Sequence, residues 1–250
     1  MKQFTVLLKK DFMELWRTKK ILAICIVFVV FGFSSPIMAN LMPLLLSNLE
    51  GLEIIVSEPT VIDSYSVFAN NIGEMFAWIM MGVIGGQIVS ERIKGQYTTL
   101  RNNGVSSFQF ICSKITSQII MITACYFLSI LFFSLYNLVL FDEFLIQYSF
   151  IFFFSQYLYL IFLISLMALY GTLLKNSVTV IISAIVTSLL LDLFNFFTFG
   201  RYLPSGLSGL SVQILSDTNV MNDLYIGVVI SLSITLSLIF LSVYLCSNKE

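Results

Sequence analysis

Histidine is absent from all 250 residues. That excludes imidazole triads, histidine-ligated zinc and histidine pH switches. Charge is scarce as well: Asp, Glu, Lys and Arg make up 11%, against about 25% in soluble domains. So little charge leaves too little polar surface to cover a water-soluble globule, which excludes a soluble enzyme, a disordered chain and a collagen-like one. The net charge is −1, so no basic footprint invites nucleic acid. The four cysteines, Cys25, Cys112, Cys125 and Cys246, form no C-x-x-C pair and no disulfide framework, and reduced thiols are expected. The pattern G-x-x-x-x-G-K-[ST] is missing, so this chain does not cradle ATP phosphates by that means. No cofactor or metal motif replaces it, and the chain by itself is not expected to be an enzyme.

What is abundant is apolar: 58% of residues are hydrophobic. Six stretches are long enough for helical spans of ~20 residues: Ile21–Leu46, Ile72–Val89, Ile115–Leu140, Leu145–Leu174, Val178–Phe199 and Leu224–Cys246. The first is expected to break near Pro36 and Pro43. Alternation suited to a β-barrel is absent, and in lipid every backbone N–H and C=O must be satisfied internally. The reading is an all-α polytopic membrane protein with one transmembrane domain over residues 1–250. The N-terminal lysines, apolar run and Ala39 resemble a signal peptide, but the 20 residues ahead of the run are long for one, so the segment is read as retained. Orientation follows from basic residues. With both termini in the cytoplasm, Lys2, Lys9, Lys10, Arg17, Lys19, Lys20, Arg92, Lys94, Arg101, Lys114, Lys175 and Lys249 lie inside and Arg201 alone outside. Glu50, Glu53, Glu58, Asp63, Asp142, Glu143, Asp217 and Asp223 fall outside.

Three pieces lie between or before the spans. Residues 1–20, read as a helix, gather Phe4, Leu7, Leu8, Phe12, Leu15 and Trp16 on one side and Lys2, Lys9, Lys10, Glu14 and Arg17 mostly on the other, with Asp11 the exception. This pattern suits an amphipathic helix lying in the inner membrane interface. The loop 90–113 holds a segment bracketed by Gly95 and Gly104 that contains Tyr97, Leu100 and Arg101. It reads either as a short helix presenting those residues to a cytosolic partner or as an ordinary connector. Segment 200–222 spaces Leu203, Leu207 and Leu210 like a helix face but carries Pro204, Gly206 and Gly209. It is expected to dip into the outer leaflet or pack on the spans.

The amphipathic N-terminal helix, the six spans, the sequence E-R-x-x-G-x-x-x-x-L after the second (Glu91, Arg92, Gly95, Leu100) and a lysine opening the third (Lys114) together resemble the permease subunit of ABC-2 type ABC exporters. The likeness covers the whole chain in architecture and rests on one short motif. It implies an elbow helix over Lys9–Lys20, with Phe12, Trp16 and Arg17. It implies a coupling helix over Gln96–Asn102 seated in a groove of an ATPase, with Glu91, Arg92, Gly95, Tyr97, Leu100 and Arg101 carrying the coupling. Leu203–Ser216 would be the extracellular re-entrant segment. The family works as two permease subunits with two ATP-binding subunits in the bacterial cytoplasmic (inner) membrane, with ATP and Mg held by the partner. Its small members export drugs, lantibiotics or bacteriocins, or amphipathic peptides such as phenol-soluble modulins.

Charged groups inside spans cost ~2.5–3.5 kcal/mol at the bilayer centre on insertion scales and ask for a reason. Ala184, Ser188, Asp192 and Asn195 form one polar stripe of the fifth span. Asp192 lies ~25 Å of helix beyond Lys175 at 1.5 Å per residue. The stripe faces either a second permease or water pathway, or simply the hydrated outer surface. Gly82 and Gly86 make a G-x-x-x-G pair for close helix approach. Glu74 is read as interfacial, at the outer start of span two, and the aromatics of span four, including Phe152, Phe153, Phe154, Tyr157, Tyr159 and Phe162, as facing lipid rather than a hydrophobic substrate. The alternative to an exporter is an ion-coupled secondary transporter or channel, a class that places paired ionisable residues at the midplane.

Overall fold

The computed structural model describes residues 2–47 and 58–248. All regular secondary structure among them is helical. Six runs are long and apolar enough to cross a membrane: Lys20–Pro43, Val61–Ile93, Ser107–Phe141, Ser149–Leu173, Ser177–Phe194 and Met221–Asn248. The elements are α1 (Lys2–Arg17), α2 (Lys20–Ser47), α3 (Val61–Asn71), a π-helical turn (Ile72–Phe76), α4 (Ala77–Ile84), α5 (Gln87–Ile93), α6 (Gln96–Asn102), α7 (Ser107–Phe141), α8 (Ser149–Leu173), α9 (Ser177–Phe194), α10 (Gly206–Gln213) and α11 (Met221–Asn248). Glu50, Glu53 and Lys249, counted in the charge asymmetry, lie outside the described residues.

Two starts differ most from the sequence reading, and both are set by capping boxes. The second run begins at Val61, well before Ile72. Thr60 Oγ1 accepts from the Asp63 amide, and Asp63 Oδ2 accepts from the Thr60 amide at 2.8 Å. This reciprocal pair satisfies two donors that a helix start otherwise leaves unpaired. The third run begins at Ser107, because Ser106 and Gln109 cap it in the same way. Lys114 therefore lies inside α7 rather than opening it. The expected break at Pro36 and Pro43 is also corrected: α2 is one helix through both. Here Ser35 donates to Phe31 O at 2.7 Å and accepts from Asn71 Nδ2 at 2.9 Å, which stitches this part of α2 to α3.

Helix α2 packs most extensively on α7 and α8 on α11. Gly32 makes the first crossing possible, since a Cβ there would lie 2.6 Å from Ser129 O. Of the G-x-x-x-G pair, Gly82 faces open space, while Gly86 lies against Ser177 of the same chain. Helix α8 runs through the middle of the bundle. Its Phe152, Phe153, Tyr159 and Phe162 are buried, which corrects their reading as lipid-facing. Phe152 and Phe153 join Tyr65, Phe68 and Phe133 in an aromatic cluster, with Phe68 and Phe133 centroids 4.6 Å apart. Helix α10 forms despite its glycines. Leu207 and Leu210 are buried, so the segment packs on α3, α8 and α11.

Candidate functional site

The end of the bundle where α1, α5, α6 and the start of α7 meet is called the foot. Its centre is ionic. Lys114 is 1% exposed, yet its Nζ lies 2.6 Å from Glu91 Oε1 and 2.7 Å from Asp11 Oδ1, with both carboxylates 2% exposed. Glu91 Oε1 also accepts from Lys10 Nζ at 2.8 Å, and Ser113 Oγ donates to Asp11 Oδ2 at 2.8 Å. Glu14 Oε2 stands 3.5 Å from the same lysine. Asp11, Glu14 and Glu91 bring carboxylate oxygens within 4.8 Å of one another, a metal-like spacing, but the Lys114 ammonium already occupies their centre. Buried charges persist only when paired and hydrogen-bonded. One lysine thus ties the N-terminal helix, the end of the second run and α7 together. Above it Gln118 Nε2 donates to Gln87 Oε1 at 2.7 Å, a second buried polar rung between α5 and α7.

The expected elbow residues divide between two faces. Leu7, Asp11 and Leu15 recur every fourth residue and are buried against the bundle. Asp11, the outlier of the helical pattern, is therefore the residue that docks the helix. Phe12 and Trp16 turn the other way, Trp16 being 68% exposed, and Arg17 is exposed beside Lys10, Glu14 and Lys94 around an open cavity of about 440 Å³.

Arg92 turns back onto its own chain. Its guanidinium donates to Gly171 O at 3.1 Å and Thr172 O at 2.6 Å, at the C-terminus of α8, where helix carbonyls lack partners and the dipole favours a cation. Gly95 then turns the chain at φ +70°. A Cβ there would meet nothing within 4 Å, so backbone conformation alone favours glycine. Helix α6 follows and ends at Gly104, φ +83°. The short bracketed helix is thus present, but its apolar residues point inward. The Tyr97 ring lies tilted at 50° against Phe110 with centroids 4.8 Å apart, its hydroxyl lies 2.9 Å from Ser107 Oγ, and Leu100 packs on the core. Tyr97 and Leu100 are thus half-buried against their own bundle, and neither is fully enclosed. The exposed face of α6 carries Gln96, Thr98, Thr99, Arg101 and Asn102.

At the other end of the bundle the stripe of α9 divides too. Val180, Ala184 and Ser188 are buried within this chain, so Ala184 and Ser188 pack against its own helices. Asp192 and Asn195 instead line a cavity of about 400 Å³ with Asn70, Glu74, Trp78, Tyr159, Ser205 and Ser208. Glu74, read from sequence as the edge of span two, stands on the π-helical turn in the interior of Val61–Ile93.

Sequence reasoning missed the partnership of Asp11 with Lys114, the Gln87–Gln118 rung and the meeting of Glu74 with Asp192. A lone acid on the apolar face of the N-terminal helix and glutamines inside apolar runs were the available signals. Comparison with protein-family models and with curated proteins gives no match.

Proposed function

We propose that this chain is the transmembrane permease subunit of an ATP-driven exporter of the ABC-2 type, working with a separate ATP-binding subunit. The observation that carries the reading is the ionic foot. A helix shaped like an elbow is clamped through Asp11, Lys114 and Glu91 to the end of the second run, from which α6 hangs by a left-handed glycine. Motion of α6 would then pass along α5 into the second run and, through one buried ammonium, into α1 and α7. A connector with no mechanical role has no need of such a costly buried junction. In this reading both termini are cytoplasmic, α1 lies in the inner interface with Phe12 and Trp16 toward lipid, the outward face of α6 meets the ATPase, and α10 is the outer re-entrant helix. The membrane is a bacterial cytoplasmic membrane, and the assembly holds two permeases and two ATPases, with ATP and Mg on the latter. The substrate is hydrophobic or amphipathic, a peptide or a drug.

The test is co-expression with an ATPase encoded beside it, co-purification, and ATP hydrolysis measured with candidate amphipathic peptides. Association and substrate-stimulated hydrolysis are expected. An ion-coupled carrier is the second reading, favoured by the two carboxylates facing one cavity. Transport driven by an ion gradient without ATP would establish it instead.

A further inference from the structure

The cavity between α4, α9 and α10 has a charge imbalance. Its lining includes Glu74 and Asp192 and no lysine or arginine. Neither carboxylate makes a hydrogen bond or ion pair among the described residues. The basic residue of this end, Arg201, is taken by Asp223 at 3.2 Å. The other polar walls, Asn70, Asn195, Ser205 and Ser208, are neutral groups that can donate or accept. Behind Ser208, the fully buried Gln156 donates through Nε2 to Ser208 and Ser211, and its Oε1 has no partner among the described residues. Trp78 and Tyr159 supply aromatic surface.

Contrast the foot, where each buried carboxylate meets a lysine of the chain itself. Glu74 and Asp192 come from two helices that each read as spanning, where a charge needs a partner or water. Two like charges facing one opening repel, and an added cation relieves both. An inorganic ion would need neither the volume nor the aromatic rings. A positive group on an apolar body uses all three: carboxylates for the charge, Trp78 and Tyr159 for cation–π and apolar contact, and the cavity for its bulk. The π-helical turn that carries Glu74 is a local departure of a kind frequent at functional sites.

We propose that this cavity binds organic cations, taking the ammonium or guanidinium group of an amphipathic molecule between Glu74 and Asp192. As a substrate site it rests on the exporter reading. As a binding site it does not, so the test reads binding by the chain alone, without an ATPase.

The purified chain in nanodiscs would be titrated with tetraphenylphosphonium and, separately, with tetraphenylborate, an anion of nearly the same shape. Saturable binding of the cation and none of the anion is expected. Glu74→Gln and Asp192→Asn should each weaken it by about tenfold, the scale of one lost charge-assisted contact, with thermal stability retained. Asn195→Lys supplies an internal cation and should abolish binding while raising thermal stability. Equal binding of cation and anion, or cation binding unchanged in the double carboxylate variant, overturns the proposal. So does saturable sodium binding by a chain that ignores tetraphenylphosphonium, which makes this an inorganic-ion site.

Discussion

Glu91 and Lys114 approach to 2.6 Å although they belong to different helices, and both are shielded from solvent. The contact matters because the same lysine nitrogen also holds Asp11 of α1 at 2.7 Å. Lys114 is the one buried cation shared by both carboxylates: without it Glu91 keeps only the half-exposed Lys10 at 2.8 Å and Asp11 only the same lysine at 3.8 Å.

Lys114→Met should therefore destabilise the chain by about 3–5 kcal/mol, the usual cost of breaking a buried pair. Adding Asp11→Leu and Glu91→Leu removes the stranded charges and should regain most of the loss. Lys10, being half-exposed, can then turn to water. Thermal unfolding of the purified chain measures both. A loss under about 1 kcal/mol in the single variant would mean the network is solvated like a surface pair.

Gly95 holds φ +70° with free space around it, so any cost of substitution is purely conformational. Gly95→Ala should cost about 1–2 kcal/mol of local order, and Gly95→Asn less, because asparagine tolerates the left-handed region. Protease cleavage within 94–104 reads the loosening. Equal cleavage in Gly95→Val and the parent would show that α6 does not depend on this turn.

The six long apolar runs were legible because hydrophobic length is a strong local signal. The starts at Val61 and Ser107 were legible too, in T-x-x-D and S-x-x-Q, but apolar counting passes over polar caps. The inward turn of Tyr97 and Leu100 was not legible, since a seven-residue helix shows the same residues whether it faces its own bundle or a partner. Nor could spacing reveal that Asp11 meets Lys114 or that Glu74 meets Asp192. Those are encounters between distant segments, fixed by packing, and a single sequence carries no record of them.

The α2–α7 crossing should be intolerant at Gly32. A Cβ there would lie 2.6 Å from the Ser129 carbonyl oxygen, and backbone cannot swing aside as a side chain can. Gly32→Val should cost at least the ~1–3 kcal/mol of core overpacking. Gly82→Ala is the control, since nothing lies within 4 Å and alanine favours helix by up to ~1 kcal/mol. Both are read as shifts in thermal unfolding. Equal tolerance at the two sites would contradict the crossing.

Topology can be read from thiols. In a chain freed of its four cysteines, Asn219→Cys should react with a membrane-impermeant maleimide in intact cells. Thr98→Cys should react only after permeabilisation. Both positions are exposed, so access and not burial decides. Labelling of Thr98→Cys from outside would invert the orientation.

The two faces of α6 separate docking to the bundle from docking to a partner. Leu100 packs inward on the core and Tyr97 on Phe110, so Leu100→Asp places a charge against the chain's own apolar surface, where an unpaired charge is costly. That variant should lose thermal stability even when purified without any ATPase. Thr98 lies on the exposed face and touches none of this. Thr98→Trp should leave the isolated chain as stable as the parent but obstruct a groove that receives α6, lowering recovery of a co-expressed ATPase several-fold. Measuring both quantities for both variants distinguishes the roles. A partner that binds Thr98→Trp as well as the parent contacts some other surface of the foot. Full stability in Leu100→Asp would mean that α6 does not dock on the bundle through this residue.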